Sequence, residues 1–291
     1  MADAEQDAVG RAVLVNAAAS STGSEYLTGA SSGALPARGG RRPRASAVLL
    51  GAILPIALLV VWQLISASGV IPSYRLPAPL AVWQAAIDLA QRGLLFPDIA
   101  ISTQRVLLGF VFGSILGLVV GSIIGLSRWA SLLAAPTVGA FRAVPSLAWV
   151  PLLILYLGIH EDSKVVLITI GAFFPVYTTV SGALSHVDRH LVEVGRAYGL
   201  GRLGLLARVQ LPAIIPTVVS GLRLALAQSW LFLVAAELIV SSLGLGFLLK
   251  DSQDNGRIDR LFVAIILLGV LGKITDTLIG LGERYLLRRW T

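Results

Sequence analysis

Ionisable side chains inside long apolar stretches are the residues of this sequence best suited to chemistry. Arg142, Arg223 and Glu237 each lie in such a stretch, and a charged group at membrane depth is a candidate functional residue by default. A guanidinium binds planar oxyanions through paired hydrogen bonds. The two arginines are therefore suited to attract an anion, whereas an ionised Glu237 would repel one in a medium of low dielectric constant.

Arg223 and Glu237 belong to the same apolar segment. On a regular helix they are separated by about 21 Å along the axis, yet they fall within about 40° of one face, with Trp230 between them. They cannot pair with each other at that separation. Either they form a polar stripe along a solute pathway, or each satisfies a neighbouring helix or lies near a membrane interface. We take Arg142, Arg223, Trp230 and Glu237 as candidates for a translocation pathway.

The sequence gives little indication of a covalent catalytic site, a metal site or a nucleotide-binding site. The chain has no cysteine, and His160, His186 and His190 lack companion ligands at metal-binding spacing. Residues 199–204 match G-x-G-x-x-G but lack the preceding strand that gives this pattern meaning, and the Gly272-Lys273 pair lacks the other residues of a phosphate-binding loop. We predict no catalytic residue, no metal and no cofactor in this chain. A nucleotide that drives its function would bind another polypeptide.

The composition is that of an integral membrane protein. Of the 291 residues 56% are hydrophobic and 13% are charged, against about 25% charged in soluble domains, and the mean hydropathy is +0.82. The net charge of +7 comes largely from arginines beside apolar segments, in residues 41–44 and 284–289. This placement indicates cytoplasmic anchors in a lipid bilayer and not a nucleic-acid partner.

The apolar pattern predicts an all-α polytopic protein with about six transmembrane helices. The segments are about 47–66, 105–126, 132–159, 165–184, 212–239 and 261–281. Six spans and flanking arginines place both termini in the cytoplasm. Residues 1–45 are predicted to be a disordered cytoplasmic tail, and 46–291 the membrane domain. A signal peptide after the Arg41-Arg42 pair is the alternative to an uncleaved first span.

Irregularities in the pattern carry further predictions. Pro136, Pro145 and Pro151 predict that the third segment is kinked or broken. His160–Lys164 is predicted to be an external loop, and residues 69–97 to lie outside the membrane. In the second segment, glycines at every fourth residue form a ridge without side chains, against which another helix can pack closely. These glycines are Gly109, Gly113, Gly117, Gly121 and Gly125.

A polar, basic island, EVGRAYGLGRLGLLARVQLP at Glu193–Pro212, separates two apolar segments. Residues 188–197 are predicted to form a short helix, Gly199 and Gly201 to end it, and Leu203–Val209 to begin a second element. A short helix, a glycine turn and a return to the membrane make a compact projection that a partner protein could bind. Its basic charge predicts the cytoplasmic side.

The island resembles the signature of permease subunits of bacterial type I ABC importers. Glu193 takes the position of the signature glutamate, Ala197 and Gly199 the small turn residues, and Leu211-Pro212 the exit. Val194 and Gly195 stand where that signature has two alanines, and Gly195 loosens the helix by up to about 1 kcal/mol relative to alanine. The resemblance implies that residues 188–212 are a coupling segment that docks on an ATPase. Its contact residues would include Arg196, Tyr198, Leu200 and Gly201.

The runs VPSLAWVPLLILYLGI at Val144–Ile159 and GLRLALAQSWLFLVAAELI at Gly221–Ile239 resemble the branch that imports aliphatic sulfonates, taurine, nitrate or bicarbonate. The resemblance implies a multi-pass protein of the bacterial cytoplasmic membrane, which is not itself an enzyme. The implied partners are a second permease copy, two ATPase subunits that bind ATP and Mg²⁺, and an extracytoplasmic solute-binding protein. Two alternatives remain: a stand-alone ion-coupled secondary transporter that uses Arg142 and Glu237, and a membrane-anchored scaffold without solute flux.

Overall fold

A computed structural model describes residues 45–287, apart from the side chains of residues 45–52, 146, 202, 203, 240 and 285–287. The predicted tail at 1–45 lies almost entirely outside this range, as does the basic end after residue 287. All regular elements in the described range are helical, which confirms the prediction of an all-α protein. In chain order they are α1 Ala45–Ala67, α2 Pro79–Gln91, α3 Leu95–Leu126, α4 Arg128–Ala143, a 3₁₀ turn Ser146–Trp149, α5 Val150–Leu157, α6 Glu161–Ser185, α7 Arg189–Ala197, α8 Arg202–Leu205, a π-helical turn Leu206–Gln210, α9 Leu211–Val240, α10 Leu245–Asp254 and α11 Ile258–Leu287.

Four stretches of the described chain are long and apolar enough to cross a membrane. They are Leu95–Leu126, Glu161–Ser185, Leu206–Ile239 and Ile258–Arg284. The bent pair of α4 with the 3₁₀ turn and α5 supplies a fifth if it is one span. Helix α1 covers the first predicted segment. Within the described residues, the structure thus accounts for four or five of the roughly six predicted spans.

The third predicted segment is broken, as its prolines predict. Helix α4 continues through Pro136 but ends at Ala143, because Val144 is extended (φ −69°, ψ 124°) in front of Pro145. A residue that precedes proline is disfavoured in the helical region. The chain resumes in the 3₁₀ turn, and the two halves are bent by 83°.

Two boundaries differ from the prediction. Helix α3 begins at Leu95 and not near Arg105, and the polar residues His160–Lys164 are not a loop but mostly the first turn of α6, which begins at Glu161. Both differences have one cause. The polar side chains at these two helix starts have hydrogen-bond partners on other parts of the chain or on each other, so the helices extend through residues that hydropathy alone places outside the membrane.

Helix α6 packs between α3 and α9 and forms the core with them. The five ridge glycines of α3 all face α6: a Cβ at Gly113 would lie 2.6 Å from the Cβ of Ala172, and one at Gly117 would lie 2.7 Å from that of Val176. The same holds between α6 and α9, where a Cβ at Gly221 would lie 2.8 Å from that of Thr179. Glycine therefore sets the close approach of all three helices, since packing takes the place of the hydrophobic driving force in lipid.

Candidate functional site

An ionic cluster joins α3, α6 and α9, and it is buried at Arg105 and Glu237 but open to solvent at Glu161, whose side chain is 54% exposed. The Arg105 side chain of α3 is 3% exposed, and Glu237 of α9 is fully buried. The Arg105 Nη1 donates to Glu237 Oε1 at 2.6 Å. Its Nε and Nη2 donate to the two oxygens of Glu161 at 2.6 and 2.7 Å. One guanidinium thus binds two carboxylates on different helices.

Each carboxylate of the cluster has further donors. Ser102 donates its hydroxyl to Glu237 at 2.8 Å, and the Gly246 N–H donates to the other Glu237 oxygen at 2.8 Å. The ammonium of the buried Lys164 donates to Glu161 at 2.8 Å. Glu237 is therefore compensated on all sides, as a buried charge must be.

The turn between α9 and α10 is held by the same cluster. Arg105 donates to the Leu243 carbonyl at 2.8 Å. The N–H of Gly244 donates to Asp98 at 2.8 Å, and that of Leu245 to the Ser102 hydroxyl at 2.9 Å. These N–H groups lie at the start of α10, where a helix has no internal partners for them. Side chains of α3 at successive turns therefore cap α10.

On another face of α6 and α9, three adjacent cavities form a groove. The first, of about 230 Å³, is lined by aliphatic and aromatic groups that include Phe141, Trp149 and Phe173. It shares Ile170 and Phe174 with the second, of about 300 Å³. The second shares Leu224 with the third, of about 370 Å³, which lies nearer the start of α9.

The middle cavity contains the polar groups of the groove. Arg142, at the last turn of α4, lines it with Gln228 and Thr178, and the third cavity adds the hydroxyls of Thr217 and Ser220. Among the described residues that line the three cavities, Arg142 is the one with a charge. The structure therefore places Arg142 on a solvent-accessible groove.

The other three pathway candidates lie elsewhere. Arg223 pairs with Asp276 of α11 at 2.9 Å and with Glu283 at 3.4 Å. The Trp230 indole, 7% exposed, donates to Thr275 of the same helix at 3.0 Å. Glu237 is enclosed by the ionic cluster. Each of the three forms its ion pairs or hydrogen bonds with a neighbouring element, which is the alternative that the sequence left open.

The predicted coupling segment has a defined turn. Asp188 caps α7 by accepting from the His190 N–H at 2.9 Å. At the other end Gly199 has φ of +76°, and its N–H donates to the Arg196 carbonyl at 2.9 Å while that of Leu200 donates to Gly195 at 3.1 Å. This pair of bonds is the Schellman motif, in which a left-handed glycine ends the helix.

The residues of the coupling segment divide into an inner and an outer face. Gly195 is buried, and a Cβ there would lie 2.8 Å from the Leu205 side chain, so a glycine in place of the signature alanine permits this contact. Leu211 and Pro212 open α9. The exposed residues of the predicted interface are Glu193, Arg196, Ala197, Tyr198, Gly199, Gly201 and Leu211.

No group of three or more histidine, cysteine, aspartate or glutamate side chains in the described part of the chain is arranged to hold a metal ion. Arg105, Glu161 and Ser102, which belong to the ionic cluster, are not among the site residues predicted from the sequence. A signal existed, since Asp98, Ser102 and Arg105 recur on one face of a helix at spacings of four and three residues.

Residues 94–287 match the family described as "Binding-protein-dependent transport system inner membrane component". The chain belongs to this family. The permease is thus a multi-pass transport component of the inner membrane. Its sequence relatives place it among ABC importer permeases, in the branch that includes sulfonate and nitrate permeases.

One relative is the "Putative aliphatic sulfonates transport permease protein SsuC" of Escherichia coli (strain K12), 42% identical over 235 residues, which cover 81% of this chain and 89% of that protein. Another is the "Nitrate import permease protein NrtB" of Leptolyngbya laminosa, 30% identical over 234 residues, which cover 79% of this chain and 84% of that protein. A solved structure of the MetNI methionine ABC transporter, in an inward facing conformation, aligns with a TM-score of 0.56 at 22% identity. The alignment covers 67% of the permease and 94% of the matched chain, and the likeness concerns the fold.

Proposed function

We propose that the permease moves a small organic or inorganic anion along the groove between α4, α6 and α9, driven by ATP hydrolysis on a separate subunit. The observation that carries this proposal is the placement of Arg142, the one charged residue among the described groove-lining residues. A guanidinium on an apolar wall attracts an oxyanion and offers it paired donors.

The remaining lining fits weak contact with such a solute. Gln228 and Thr178 offer hydrogen bonds beside Arg142, and the buried Trp149 indole N–H at the aromatic end has no acceptor among the described residues. Sulfonates and nitrate, the solutes in the names of the relatives, are anions. A single charge suits a permease, because tight binding would slow release and an external protein can supply specificity.

Glu237 does not oppose an anion. Its carboxylate is fully buried and receives hydrogen bonds from Arg105, Ser102 and Gly246, so its charge is compensated within the subunit. We propose a structural role for Glu237 in place of a pathway role. This enclosure also weakens the secondary-transporter alternative, because that alternative needs Glu237 as an ion-coupled group in contact with solvent.

We propose that α7 docks on the ATPase. Leu191, Val194 and Tyr198 recur on one face of α7 and its C-cap, and they are 48%, 55% and 83% exposed. A small apolar face with an aromatic residue is typical of a contact surface. Two copies of the permease would each present this face to one ATPase and close their grooves against each other. An extracytoplasmic binding protein would deliver the solute, and both termini would be cytoplasmic.

The test is uptake into proteoliposomes that contain the permease, its ATPase and its binding protein. Labelled butanesulfonate, taurine, nitrate and a neutral sugar are offered with and without internal ATP. We expect ATP-dependent uptake of at least one anion and none of the sugar. Arg142→Gln should lower anion uptake by about ten-fold, the effect of losing roughly 1.4 kcal/mol of interaction.

Arg142→Lys keeps the charge and should retain part of the uptake. The matched control is Lys250→Gln, which removes an exposed cation from α10. The proposal is wrong if only the sugar enters, if uptake needs no ATPase, or if Arg142→Gln transports anions at the rate of the parent.

A further inference from the structure

The two groove-lining helices α6 and α9 are joined at both ends. At one end the chain itself joins them through the coupling segment, because Ser185 ends α6 and Leu211 begins α9. At the other end they are joined by Arg105 of α3. It binds Glu161, the first residue of α6, and Glu237, which lies one turn before the end of α9.

We propose that Arg105 is a positioning residue for transport, which clamps the far ends of α6 and α9 so that the two helices move as one unit. The proposal rests on the proposed function, since it concerns how a displacement of the coupling segment reaches the groove. It assigns to Arg105, Glu161 and Glu237 a role in transmission and not in solute contact.

The length of the helices makes a far-end clamp consequential. With 25 residues, α6 is about 37 Å long at 1.5 Å per residue. A tilt of about 5° between α6 and α9, pivoted at the coupling segment, would separate their far ends by about 3 Å over this length. The groove lies between the two ends, so such a tilt would widen it without moving the helix pair as a body.

The bonding geometry of the clamp requires arginine. The guanidinium places its Nε and Nη2 on the two oxygens of Glu161 and its Nη1 on Glu237 and the Leu243 carbonyl. A lysine ammonium is a point charge without this planar fork. Glu161 and Glu237 are each held by a second donor as well, Lys164 and Ser102, so the two carboxylates are fixed in the positions that Arg105 spans.

The neighbouring contacts make the clamp part of a larger unit. The glycine ridge already holds α3 closely against α6 over most of its length. Asp98 and Ser102 of α3 bind the backbone at the start of α10, so the end of α9 is held through its connection as well. Arg105 itself bonds directly to both groove helices at once.

The first arm of the test measures coupling in the reconstituted complex as solute transported per ATP hydrolysed. Arg105→Gln is expected to lower this ratio by about ten-fold, within the range that single substitutions change coupling, while ATP hydrolysis continues. Arg105→Lys should recover only part of the ratio. Arg92→Gln, which removes an arginine from an exposed ion pair with Asp88, is the matched control and should leave it unchanged.

The second arm replaces the clamp chemically. The chain has no native cysteine, so Asp162→Cys and Ile239→Cys place two thiols at exposed sites on the first turn of α6 and the last turn of α9. A bis-methanethiosulfonate cross-linker whose span matches the separation of the two thiols should leave transport by the otherwise unaltered protein intact. In the Arg105→Gln background it should restore the coupling ratio, and reduction should remove the effect.

Three results would overturn the proposal. If the cross-link blocks transport by the protein that keeps Arg105, the far ends of α6 and α9 must separate during the cycle, and Arg105 does not clamp them. Arg105 has no role in coupling if Arg105→Gln keeps the parent ratio. Its role is only structural if ATP hydrolysis and transport fall together with the melting temperature and the cross-link restores neither. Failure of the proposed function is a separate outcome, in which the unsubstituted complex shows no ATP-dependent uptake.

Discussion

Substitution of Gly117 tests how the core of this permease is held together. A Cβ at this position would lie 2.7 Å from the Val176 Cβ and 2.9 Å from the Phe173 carbonyl oxygen. Ordinary contact distances of these atoms are 3.4–4 Å, so even alanine requires α3 and α6 to separate locally by roughly 1 Å. Leucine at this position requires more.

The expected change in the free energy of unfolding follows from two opposing effects. Overpacking of a well-packed interface destabilises by about 1–3 kcal/mol, whereas replacing a helical glycine with alanine favours the helix by up to about 1 kcal/mol. We therefore expect Gly117→Ala to lower the free energy of unfolding by roughly 1 kcal/mol. Gly117→Leu keeps the clash and adds bulk, so it should lower the free energy of unfolding by about 3 kcal/mol.

The assay is thermal unfolding of the purified permease in detergent, followed by the loss of monodisperse protein. A loss of about 3 kcal/mol corresponds to a fall of roughly 6–12 °C in melting temperature for a chain of this size. Gly182→Ala on α6 is the matched control, because a Cβ there meets no atom within 4 Å, and it should leave the melting temperature unchanged or raise it. Equal melting temperatures for Gly117→Leu and the parent would refute the close packing of α3 on α6.

Three further outcomes can be checked by uptake, co-purification and reporter fusions. Gly199→Val should uncouple uptake from ATP hydrolysis, because a β-branched residue is strained at φ of +76° by about 1–2 kcal/mol and would distort the turn. Normal uptake by this variant would contradict a coupling role. The control is Gly139→Ala, which adds a Cβ in open space. Gly195→Leu should displace Leu205 from α7 and weaken co-purification of the ATPase, a result that equal recovery of the ATPase would exclude. Compartment-sensitive reporters fused to each terminus should both report the cytoplasm, and a periplasmic signal at either end would mean that the number of spans is odd or the orientation reversed.

Features set by neighbouring residues could be predicted from the sequence. The four-residue glycine period of α3 needs only the helical repeat to produce a smooth ridge, and the break after Ala143 needs only the backbone restriction that Pro145 imposes. The turn at Gly199 likewise follows from local backbone preference. Each depends on interactions within a few residues, which a single sequence displays directly.

The ends of α3 and α6 could not be predicted in this way. Hydropathy places Asp98, Glu161 and Lys164 outside the membrane segments and Arg105 at the edge of one, because each is strongly polar when considered alone. In the folded chain Arg105 and Lys164 donate to Glu161, Asp98 accepts from the Gly244 N–H, and the helices continue through these residues. A scale that assigns one value to each residue type cannot represent this mutual compensation.

The sequence by itself therefore determined the class of the protein, the approximate positions of its apolar segments and the residues at its turns and breaks. Only the tertiary structure decided which groups face one another: Arg105 meets Glu237 across 132 residues of chain, Arg223 meets α11, and Arg142 remains on the groove. The physical reason is that the pairing of a charge depends on the rotation and neighbours of its helix. Those are set by packing over the whole chain and not by the residues beside it.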